Sequence, residues 1–282
     1  MLEVAVVVTV LIGVLAGLYL LAIMPRMLAG PDHTPFRGYL YAHRGLHDNA
    51  GDAPENSLRA FERAVQAGYG MELDVQVSRD GIPMVFHDAT LERMCGCPQR
   101  LCDLNCSQLE ELRLLETGEK IPRLEEVLGL VRGRTPLIVE LKSETMDVSL
   151  CRPVDRLLSA YQGDYCIESF NPLVLLWYKK NRNHVMRGQL SDGFFRETGW
   201  KRMFSKGILY FVLEHMLLNF LTRPDFIAYN HKYYKSPSRQ LCQKLYKNMA
   251  VAWTIQSQQE LEDRKHDFDL FIFDSFIPGE FL

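Results

Sequence analysis

Eight residues suited to acid–base, metal or anion chemistry lie at or beside the ends of short apolar runs in the first half of the chain. They are His43, Arg44, Glu72, Asp74, His87, Asp88, Glu140 and Lys142. A buried core has no use for such groups unless they face one another in a polar site. Together they predict an enzyme that carries out metal-assisted chemistry on a phosphate.

Three carboxylates in this set are the predicted metal ligands. Glu72 and Asp74 are two residues apart on a predicted strand, so their side chains share one face. Glu140, on a second run, adds a third carboxylate. Such a ligand set suits one hard divalent cation, Mg²⁺ or Ca²⁺, better than zinc. The alternative interpretation is a structural ion pair with Arg44 or Lys142.

The other charged residues have the properties of catalytic and phosphate-binding groups. His43 and His87 are predicted as general acid and base, because an imidazole exchanges protons near neutral pH. Arg44 can form forked hydrogen bonds to phosphate oxygens, and Lys142 can place a point charge on the same group.

Apolar runs bounded by Gly or Pro predict the buried strands that would carry these residues. The nine strand-like runs lie at 38–45, 70–75, 82–88, 136–142, 165–170, 185–191, 225–230, 249–255 and 269–274. The helical candidates between them are Glu55–Ala67, Cys106–Leu115, Leu124–Val131, Pro153–Tyr161 and Pro172–Asn181. Alternation of strands and helices predicts a parallel sheet.

The second and third runs are too close in sequence for a parallel crossover. We therefore expect residues 75–87 to form an antiparallel hairpin around Asp80-Gly81, which brings His87 close to Asp74. Eight runs remain, the number of strands in a (β/α)₈ TIM barrel. The predicted fold is this barrel with a β-hairpin excursion over its active-site end.

The chain from Val4 to Met24 has no charged residue and would cover roughly 30 Å as a helix, the thickness of a bilayer core. We predict a transmembrane helix in residues 1–24, a linker at 25–37 and the barrel domain at 38–282. A cleaved signal peptide is less consistent with the length of the run and with the absence of Lys or Arg before it. A core helix would rarely be apolar on all sides.

The predicted protein is a single-pass membrane protein with a cytoplasmic catalytic domain. Arg26 and Arg37 follow the span, whereas only Glu3 precedes it, which agrees with the positive-inside bias. The odd number of cysteines, seven, also favours a reducing compartment. Gly13 and Gly17 form a G-x-x-x-G spacing that could support a homodimer, although Gly is common in lipid-facing helices.

The remaining features are less specific. The net charge of −3 and the lack of a basic patch argue against a nucleic-acid partner. The spacing of Cys95, Cys97, Cys102 and Cys106 matches no common zinc site, so free thiols are preferred over bound metal. The apolar stretch at 207–221 is too short to span a bilayer. It is interpreted as a barrel helix or as an interfacial helix that guides lipid-like substrates.

The ordered motifs of the chain resemble those of the glycerophosphodiester phosphodiesterase family over residues 38–280. The matching motifs are His43-Arg44-Gly45, Pro54-Glu55-Asn56-Ser57, Glu72-Leu73-Asp74-Val75, Asp80-Gly81, His87-Asp88, Glu140-Leu141-Lys142, Ser169-Phe170, Trp253-Thr254 and Phe273-Asp274. The resemblance implies a (β/α)₈ barrel that cleaves glycerophosphodiesters to glycerol 3-phosphate and an alcohol. It also implies the metal, acid–base and phosphate roles given above, and adds Trp253 to the substrate-binding residues.

Two alternatives to this function stay open from the sequence. The same site could act on a lysophospholipid or a phospholipid headgroup, because the predicted span places it beside membrane lipid. The barrel could also be a catalytically idle, membrane-bound interaction module. The complete set of metal, acid–base and phosphate residues argues against such a module.

Overall fold

The computed structural model describes residues 1–143, 145–194 and 207–279. Its strands are β1 Leu40–Ala42, β2 Gly70–Val77, β3 Pro83–Val85, β4 Leu137–Leu141, β5 Tyr165–Ser169, β6 Arg187–Ser191, β7 Phe226–Asn230, β8 Met249–Ile255 and β9 Leu270–Phe273. Each of these strands lies within one of the nine predicted runs or overlaps most of it. The apolar pattern therefore located every strand.

Eight of the strands close into a parallel barrel, as predicted. Their order around the barrel is β1, β2, β4, β5, β6, β7, β8 and β9, and β1 pairs in parallel with both β2 and β9. Strand β3 pairs antiparallel with β2, with Val85 opposite Val75, which is the predicted hairpin. The fold is a (β/α)₈ TIM barrel with one hairpin excursion.

The barrel strands are buried on both faces. Side chains such as Ile138 and Phe226 fill the barrel interior, and alternate residues such as Val139 and Ile227 pack against the surrounding helices. Burial on both faces explains why the strands are continuous apolar runs rather than alternating ones. Charged residues within these runs are therefore exceptional. Arg187 and Asp225 form a buried pair at the amino ends of β6 and β7, whereas Glu72, Asp74, Glu140 and Glu168 lie toward the carboxyl ends of their strands.

The helices differ from the predictions mainly at their ends. They are α1 Leu2–Ile23, α2 Leu58–Gln66, α3 Glu92–Cys95, α4 Cys106–Leu109, α5 Leu124–Val131, α6 Cys151–Ala160, α7 Pro172–Asn181, α8 at 207–214, α9 Asn219–Thr222, α10 Pro237–Lys244 and α11 Gln258–Arg264. Short 3₁₀ helices lie at Thr34–Phe36, Leu101–Asp103, Leu114–Glu116 and His231–Tyr233. The predicted bounds of α5 and α7 are confirmed.

Two predicted helices are too long. Helix α2 begins after Ser57, whose hydroxyl accepts a hydrogen bond from the Ala60 N–H, and not at Glu55. Helix α4 ends at Leu109, and Leu115 has a left-handed backbone with φ of +49°. The apolar residues after α4 reach the core from an irregular segment instead of from a helix.

Residues 82–121, between β2 and α5, form an excursion with a small core of its own. This core contains Met84, Phe86, Leu91, Met94, Leu101, Leu104, Cys106, Leu109, Leu114 and Ile121. The excursion carries His87 and Asp88 at the point where its chain leaves β3. A packed core beneath these two residues fixes their position over the barrel.

Helix α1 is anchored to the barrel only at its carboxyl end. Among the described residues it is the one helix long and apolar enough to cross a membrane, properties that membrane spans and signal sequences share. Its residues up to Leu18 are exposed, whereas Ile23 is fully buried against the barrel. The predicted end of the span at Met24 lies one residue beyond the end of the helix.

The two remaining sequence features lie outside the barrel strands. Cys95, Cys97, Cys102 and Cys106 carry free thiols, and no three of their sulfur atoms lie within 4.8 Å of one another. The stretch 207–221 consists of α8, a turn at Met216 with φ of +53°, and most of α9. Its basic neighbours Lys201, Arg202 and Lys206 lie outside the described residues. The homodimer through Gly13 and Gly17 stays a prediction.

Candidate active site

A cavity of about 270 Å³ opens at the carboxyl ends of the barrel strands. It is lined by His43, Arg44, Glu72, His87, Glu140, Lys142, Glu168, Phe170, Leu190, Trp253, Thr254 and Ile272. All the predicted site residues except Asp74 line this cavity, and Asp74 contacts it through Arg44 and Lys142. Residues from distant parts of the sequence therefore meet in one place, the usual location of a TIM-barrel active site.

Glu72, Asp74 and Glu140 form a buried acidic cluster. An oxygen of each carboxylate lies within 4.8 Å of the other two. The register of the sheet explains this, because Asp74 on β2 pairs directly with Glu140 on β4. The Lys142 ammonium lies between two of them, 3.0 Å from Asp74 Oδ1 and 2.8 Å from Glu140 Oε2.

The electrostatics of the cluster favour additional positive charge beside it. Burial and the charges of Asp74 and Glu140 hold the pKa of Glu72 well above its usual range. Burial and Asp74 likewise raise the pKa of Glu140 to about 7 although Lys142 opposes the shift. The pKa of Asp74 is lowered despite burial, because Lys142 and Arg44 are both close. The residues fit a divalent cation, whose charge would allow all three carboxylates to ionise together.

A fourth carboxylate, Glu168 on β5, lies next to Glu140 in the register. It is fully buried, and its Oε2 has no hydrogen-bond partner among the described residues. Burial and Glu140 raise its pKa well above the usual range. Glu168 therefore belongs to the acidic cluster in space, although the sequence did not indicate it.

His43 is held by a carboxylate from the last strand of the barrel. Its Nδ1 lies 2.9 Å from Asp274 Oδ2, and its Nε2 lies 3.9 Å from Glu72 Oε2. Burial lowers the pKa of His43, and Asp274 partly opposes this shift. Neutral His43 with its proton on Nδ1 presents a free Nε2 to the cavity, which is the form that a general base requires.

His87 has a similar partner in the excursion. Its Nδ1 lies 2.7 Å from Asp88 Oδ1, and Arg93 donates to both oxygens of Asp88. Arg93 also donates two hydrogen bonds to Glu55, at 2.7 and 2.8 Å. Burial lowers the pKa of His87. Each histidine of the cavity is therefore oriented through Nδ1 by an aspartate, while Nε2 is left for chemistry.

Comparison with known proteins agrees with this arrangement. Residues 43–269 match the glycerophosphoryl diester phosphodiesterase family. The chain belongs to this family.

Members of the family with curated sequences match parts of the chain. The glycerophosphodiester phosphodiesterase of Caldanaerobacter subterraneus is 33% identical over 164 residues, which cover 53% of this chain and 65% of that protein. Human glycerophosphodiester phosphodiesterase 1 is 42% identical over 97 residues, which cover 31% of this chain and 28% of that protein. The chain thus spans less than two thirds of the length of these relatives.

Solved structures of the family share the barrel. An Oleispira antarctica phosphodiesterase in complex with the product sn-glycerol-3-phosphate superposes with a TM-score of 0.67 at 23% identity, covering 85% of this chain and 94% of that one. The glycerophosphodiester phosphodiesterase of Thermotoga maritima gives a TM-score of 0.60 at 24% identity, with 83% and 93% coverage. At this identity the likeness concerns the fold.

In this family member, the backbone after β1 is shaped to hold Arg44. Its φ is +54°, and the following Gly45 has φ of +81° in a turn where a Cβ would lie 2.8 Å from the Ala60 backbone. The Arg44 guanidinium donates to Glu55 Oε1 at 2.7 Å and lies 3.2 Å from Asp74 Oδ2. Arg44 therefore lines the cavity in a fixed position, as phosphate binding requires.

Trp253 forms part of the apolar wall opposite the acidic cluster. Its ring packs edge-on against Phe170, with ring centroids 5.7 Å apart. The Nε1 atom is buried and has no hydrogen-bond partner in the described part of the chain. A buried donor without a partner is expensive in a folded protein and is suited to a ligand oxygen.

The candidate site includes several residues to which the sequence analysis gave no role. They are Glu55, Asn56, Asp88, Arg93, Glu168 and Asp274. Asn56 donates to Asp74 Oδ2 at 2.9 Å. His47 also lies near His43 and Asp274, within 4.8 Å between ligand atoms. Four of these residues stand inside the quoted motifs or beside a predicted histidine, which was the available signal.

Proposed function

We propose that this chain is a metal-dependent phosphodiesterase that hydrolyses glycerophosphodiesters to glycerol 3-phosphate and an alcohol. The observation that carries the proposal is one cavity in which two aspartate-held histidines face a cluster of buried carboxylates. Family membership over residues 43–269 supports the same reaction. Glu72, Asp74 and Glu140 would hold one divalent cation, Mg²⁺ or Ca²⁺, in this cavity.

The residues of the cavity would have different roles in the reaction. Arg44 and Lys142 would bind the phosphodiester oxygens, and the bound cation would supply further charge neutralisation as a Lewis acid. His43 would take the proton from the nucleophile, either water or the neighbouring glycerol hydroxyl. Trp253 would pack against the substrate and offer its indole N–H to an oxygen.

His87 is the better placed of the two histidines to protonate the leaving alcohol. It lines both the cavity and a neighbouring groove of about 560 Å³, whereas His43 lines the cavity and is not part of the lining of that groove. The groove carries Arg100, Ser143 and Asp147, so an alcohol headgroup would find polar partners there. As the bond from phosphorus to the alcohol oxygen breaks, a proton from His87 Nε2 would pass to that oxygen.

The proposed setting is a membrane, with α1 as a single span and the barrel in the cytoplasm. The exposed apolar surface of α1, the arginines after it and the seven free thiols support this setting. A lysophospholipid or phospholipid headgroup is the second candidate substrate. It is favoured by exposed apolar side chains on α8, such as Ile208, near the cavity.

The test measures glycerol 3-phosphate released from glycerophosphocholine by the purified full chain, with Mg²⁺ or Ca²⁺ and with a chelator. We expect cation-dependent release, and at least about a 100-fold loss of turnover in His43→Ala and His87→Ala, because general acid–base catalysis typically contributes that much. The surface variant His184→Ala is the control and should retain turnover. Near-wild-type turnover in either cavity variant would overturn the catalytic roles, and silence with every cation would favour an interaction module.

A further inference from the structure

The carboxyl end of α1 runs beside α10 in the same direction. Tyr19 Oη lies 2.8 Å from Ser238 Oγ, and four residues later the Ile23 carbonyl accepts from the thiol of Cys242, four residues after Ser238. Beyond the helix, the Arg26 N–H donates to the Pro224 carbonyl just before β7. These paired contacts fix the direction of α1 relative to the barrel.

That direction places the apolar part of α1 beyond the active-site end. Helix α10 follows β7, so its first residues lie at the carboxyl ends of the strands, where the cavity opens. Tyr19 is level with Ser238 at the start of α10. Residues 2–18 therefore extend past the cavity end, over roughly 25 Å at 1.5 Å per residue.

The exposed part of α8 stands at the same end. The carbonyl of Leu213 accepts a hydrogen bond from Ser191, the last residue of β6, so the earlier residues of α8 lie above the strand ends. Ile208, Leu209 and Phe211 on this part are exposed. We call these three residues the apolar lip. Three large apolar side chains on one exposed helix are typical of a surface that contacts lipid.

A chain of aromatic rings joins the apolar lip to the cavity. Trp253 packs on Phe170, Phe170 on Phe194 at 6.0 Å, and Phe194 stacks on Tyr210 at 5.7 Å between ring centroids. Tyr210 lies between Leu209 and Phe211 in α8. An apolar substrate segment could follow these rings from the surface to the catalytic groups.

We infer that the active-site end of the barrel faces the bilayer in which α1 is inserted, with the apolar lip in the membrane interface. The inference rests on the proposed function and on α1 acting as a span. The partner of the apolar lip is the lipid surface itself, because a membrane-spanning helix that extends from this end of the barrel must place the membrane at the same end. A substrate held in the bilayer would enter along the aromatic wall, with its phosphodiester reaching the cavity first.

Photo-crosslinking of the full chain in lipid nanodiscs tests the orientation without requiring catalysis. We compare p-benzoylphenylalanine at Ile208 with the same residue at Leu28, since these side chains are 85% and 84% exposed. Leu28 follows Arg26, which is bound at the opposite end of the barrel. We expect lipid adducts at least fivefold more abundant at position 208. Equal labelling, more labelling at position 28, or no adduct at either position would overturn the orientation.

Kinetics with two substrates separate the orientation from the reaction. The double variant Ile208→Asp/Leu209→Asp should lower kcat/KM at least tenfold for lysophosphatidylcholine in vesicles. It should leave hydrolysis of soluble glycerophosphocholine within twofold of wild type. The matched control Met27→Asp/Leu28→Asp changes residues of similar exposure at the opposite end and should affect neither substrate. Equal effects of both double variants on the vesicle substrate would contradict a bilayer-facing lip. If the wild-type protein does not hydrolyse glycerophosphocholine, the proposed function itself is contradicted.

Discussion

Both histidines of the cavity are supported by a carboxylate on the side away from the substrate space. Asp274 contacts His43 from the end of β9, and Asp88 contacts His87 from the excursion. Such a partner selects the tautomer that carries the proton on Nδ1 and stabilises the ring when it gains a second proton. The proposed acid–base function would thus depend on four residues rather than two.

Asp274 is a positioning residue whose role can be tested through the pH profile. The His43 ring and Ser275 hold the pKa of Asp274 at about 2 although burial opposes the shift, so it is charged at neutral pH. Its charge raises the pKa of His43. In Asp274→Asn the pKa of His43 should fall, and the acid limb of kcat/KM should move to lower pH because His43 must be neutral to act as a base.

Asp274→Ala should in addition lower kcat by about 10- to 100-fold, through loss of ring orientation. Asp263→Asn, an exposed acid on α11, is the control for both variants. If the acid limb of kcat/KM is unchanged in Asp274→Asn, Asp274 does not influence the ionisation of His43, and its role is structural.

Cation affinity should depend steeply on pH. The pKa of Glu140 is raised to about 7, and the pKa of Glu72 is higher than its usual range. Raised carboxyl pKa values mean that protons must leave when a cation binds, so affinity should fall as pH falls through 7. One displaced proton corresponds to about tenfold in affinity per pH unit.

Calorimetry at pH 6 and pH 8, in buffers of different ionisation enthalpy, gives both the affinity and the number of protons released. Glu140→Gln should weaken binding and reduce proton release. A pH-independent affinity without proton release would show that the cluster does not hold the cation.

The sequence predicted the charged residues that meet at the cavity better than it predicted their partners. His43, Glu72 and Glu140 stood out because a charged group at the end of a buried strand is unusual. Glu168 is buried in β5 and Asp274 directly follows β9, yet the relation of both residues to the site depends on strand register. Closure of the barrel sets Phe273 opposite Ala42, and only this pairing brings Asp274 to His43.

At the scale of elements, Arg93 links the excursion to the loop before α2 beside the cavity. Arg93 on α3 contacts Asp88, which holds His87, and Glu55, which also holds Arg44. The excursion and the loop before α2 therefore share a charged network, while the small core of residues 82–121 is separate from the main one. Displacement of the excursion would alter His87 before it altered the barrel.

Arg93→Ala should reduce kcat/KM by about tenfold with little effect on stability. The Arg93 side chain is nearly half exposed, so its ion pairs should contribute about 1 kcal/mol or less to folding. Arg113→Ala is the control, because that exposed arginine donates only to carbonyls of its own turn. A large loss of thermal stability with unchanged kcat/KM would contradict the orienting role.

The predicted helix ends failed where tertiary contacts outweigh local propensity. The sequence around Glu55 and Asn56 is compatible with a helix. Their side chains, however, form hydrogen bonds with Arg44 and Asp74. Asn56 adopts φ of +58°, which a helix cannot accommodate. The helix consequently begins at the next residue that can cap it, Ser57. Helix α2 therefore begins three residues later than predicted, and the periodicity of the sequence could not have indicated this difference.

At the scale of the whole molecule, the carboxyl end of the apolar helix α1 is part of the fold. Ile23 in its last turn belongs to the same hydrophobic core as Met216, Asn219 donates a hydrogen bond to the Ile23 carbonyl, and Tyr246 donates one to the Leu20 carbonyl. The segment after it passes the opposite end of the barrel, where Phe36 fills the interior below β1. The chain thus reaches β1 from the end of the barrel opposite the cavity, although the exposed part of α1 extends beyond the cavity end.

This arrangement predicts that the position of a truncation decides whether a soluble domain is stable. Removal of residues 1–17 deletes only exposed residues and should leave the barrel intact. Removal of residues 1–26 also deletes Ile23, the acceptors of the Asn219 and Tyr246 hydrogen bonds, and Arg26, which pairs with buried Asp225 at 3.3 Å. Burial of one Ile and two or three hydrogen bonds together contribute about 3–6 kcal/mol.

Urea unfolding of the two truncated proteins, followed by circular dichroism, measures this difference directly. The protein with the longer deletion should unfold at a lower urea concentration, and its unfolding free energy should be about 3–6 kcal/mol smaller. It should also expose apolar surface around Met216 to a hydrophobic dye. Matched unfolding midpoints would mean that the last turn of α1 is not docked on the barrel. The direction of α1, and with it the orientation of the active site toward the bilayer, would then lose its support. If the midpoints differ as expected, the membrane span and the catalytic barrel form one rigid unit, and the cavity keeps a fixed orientation toward the lipid.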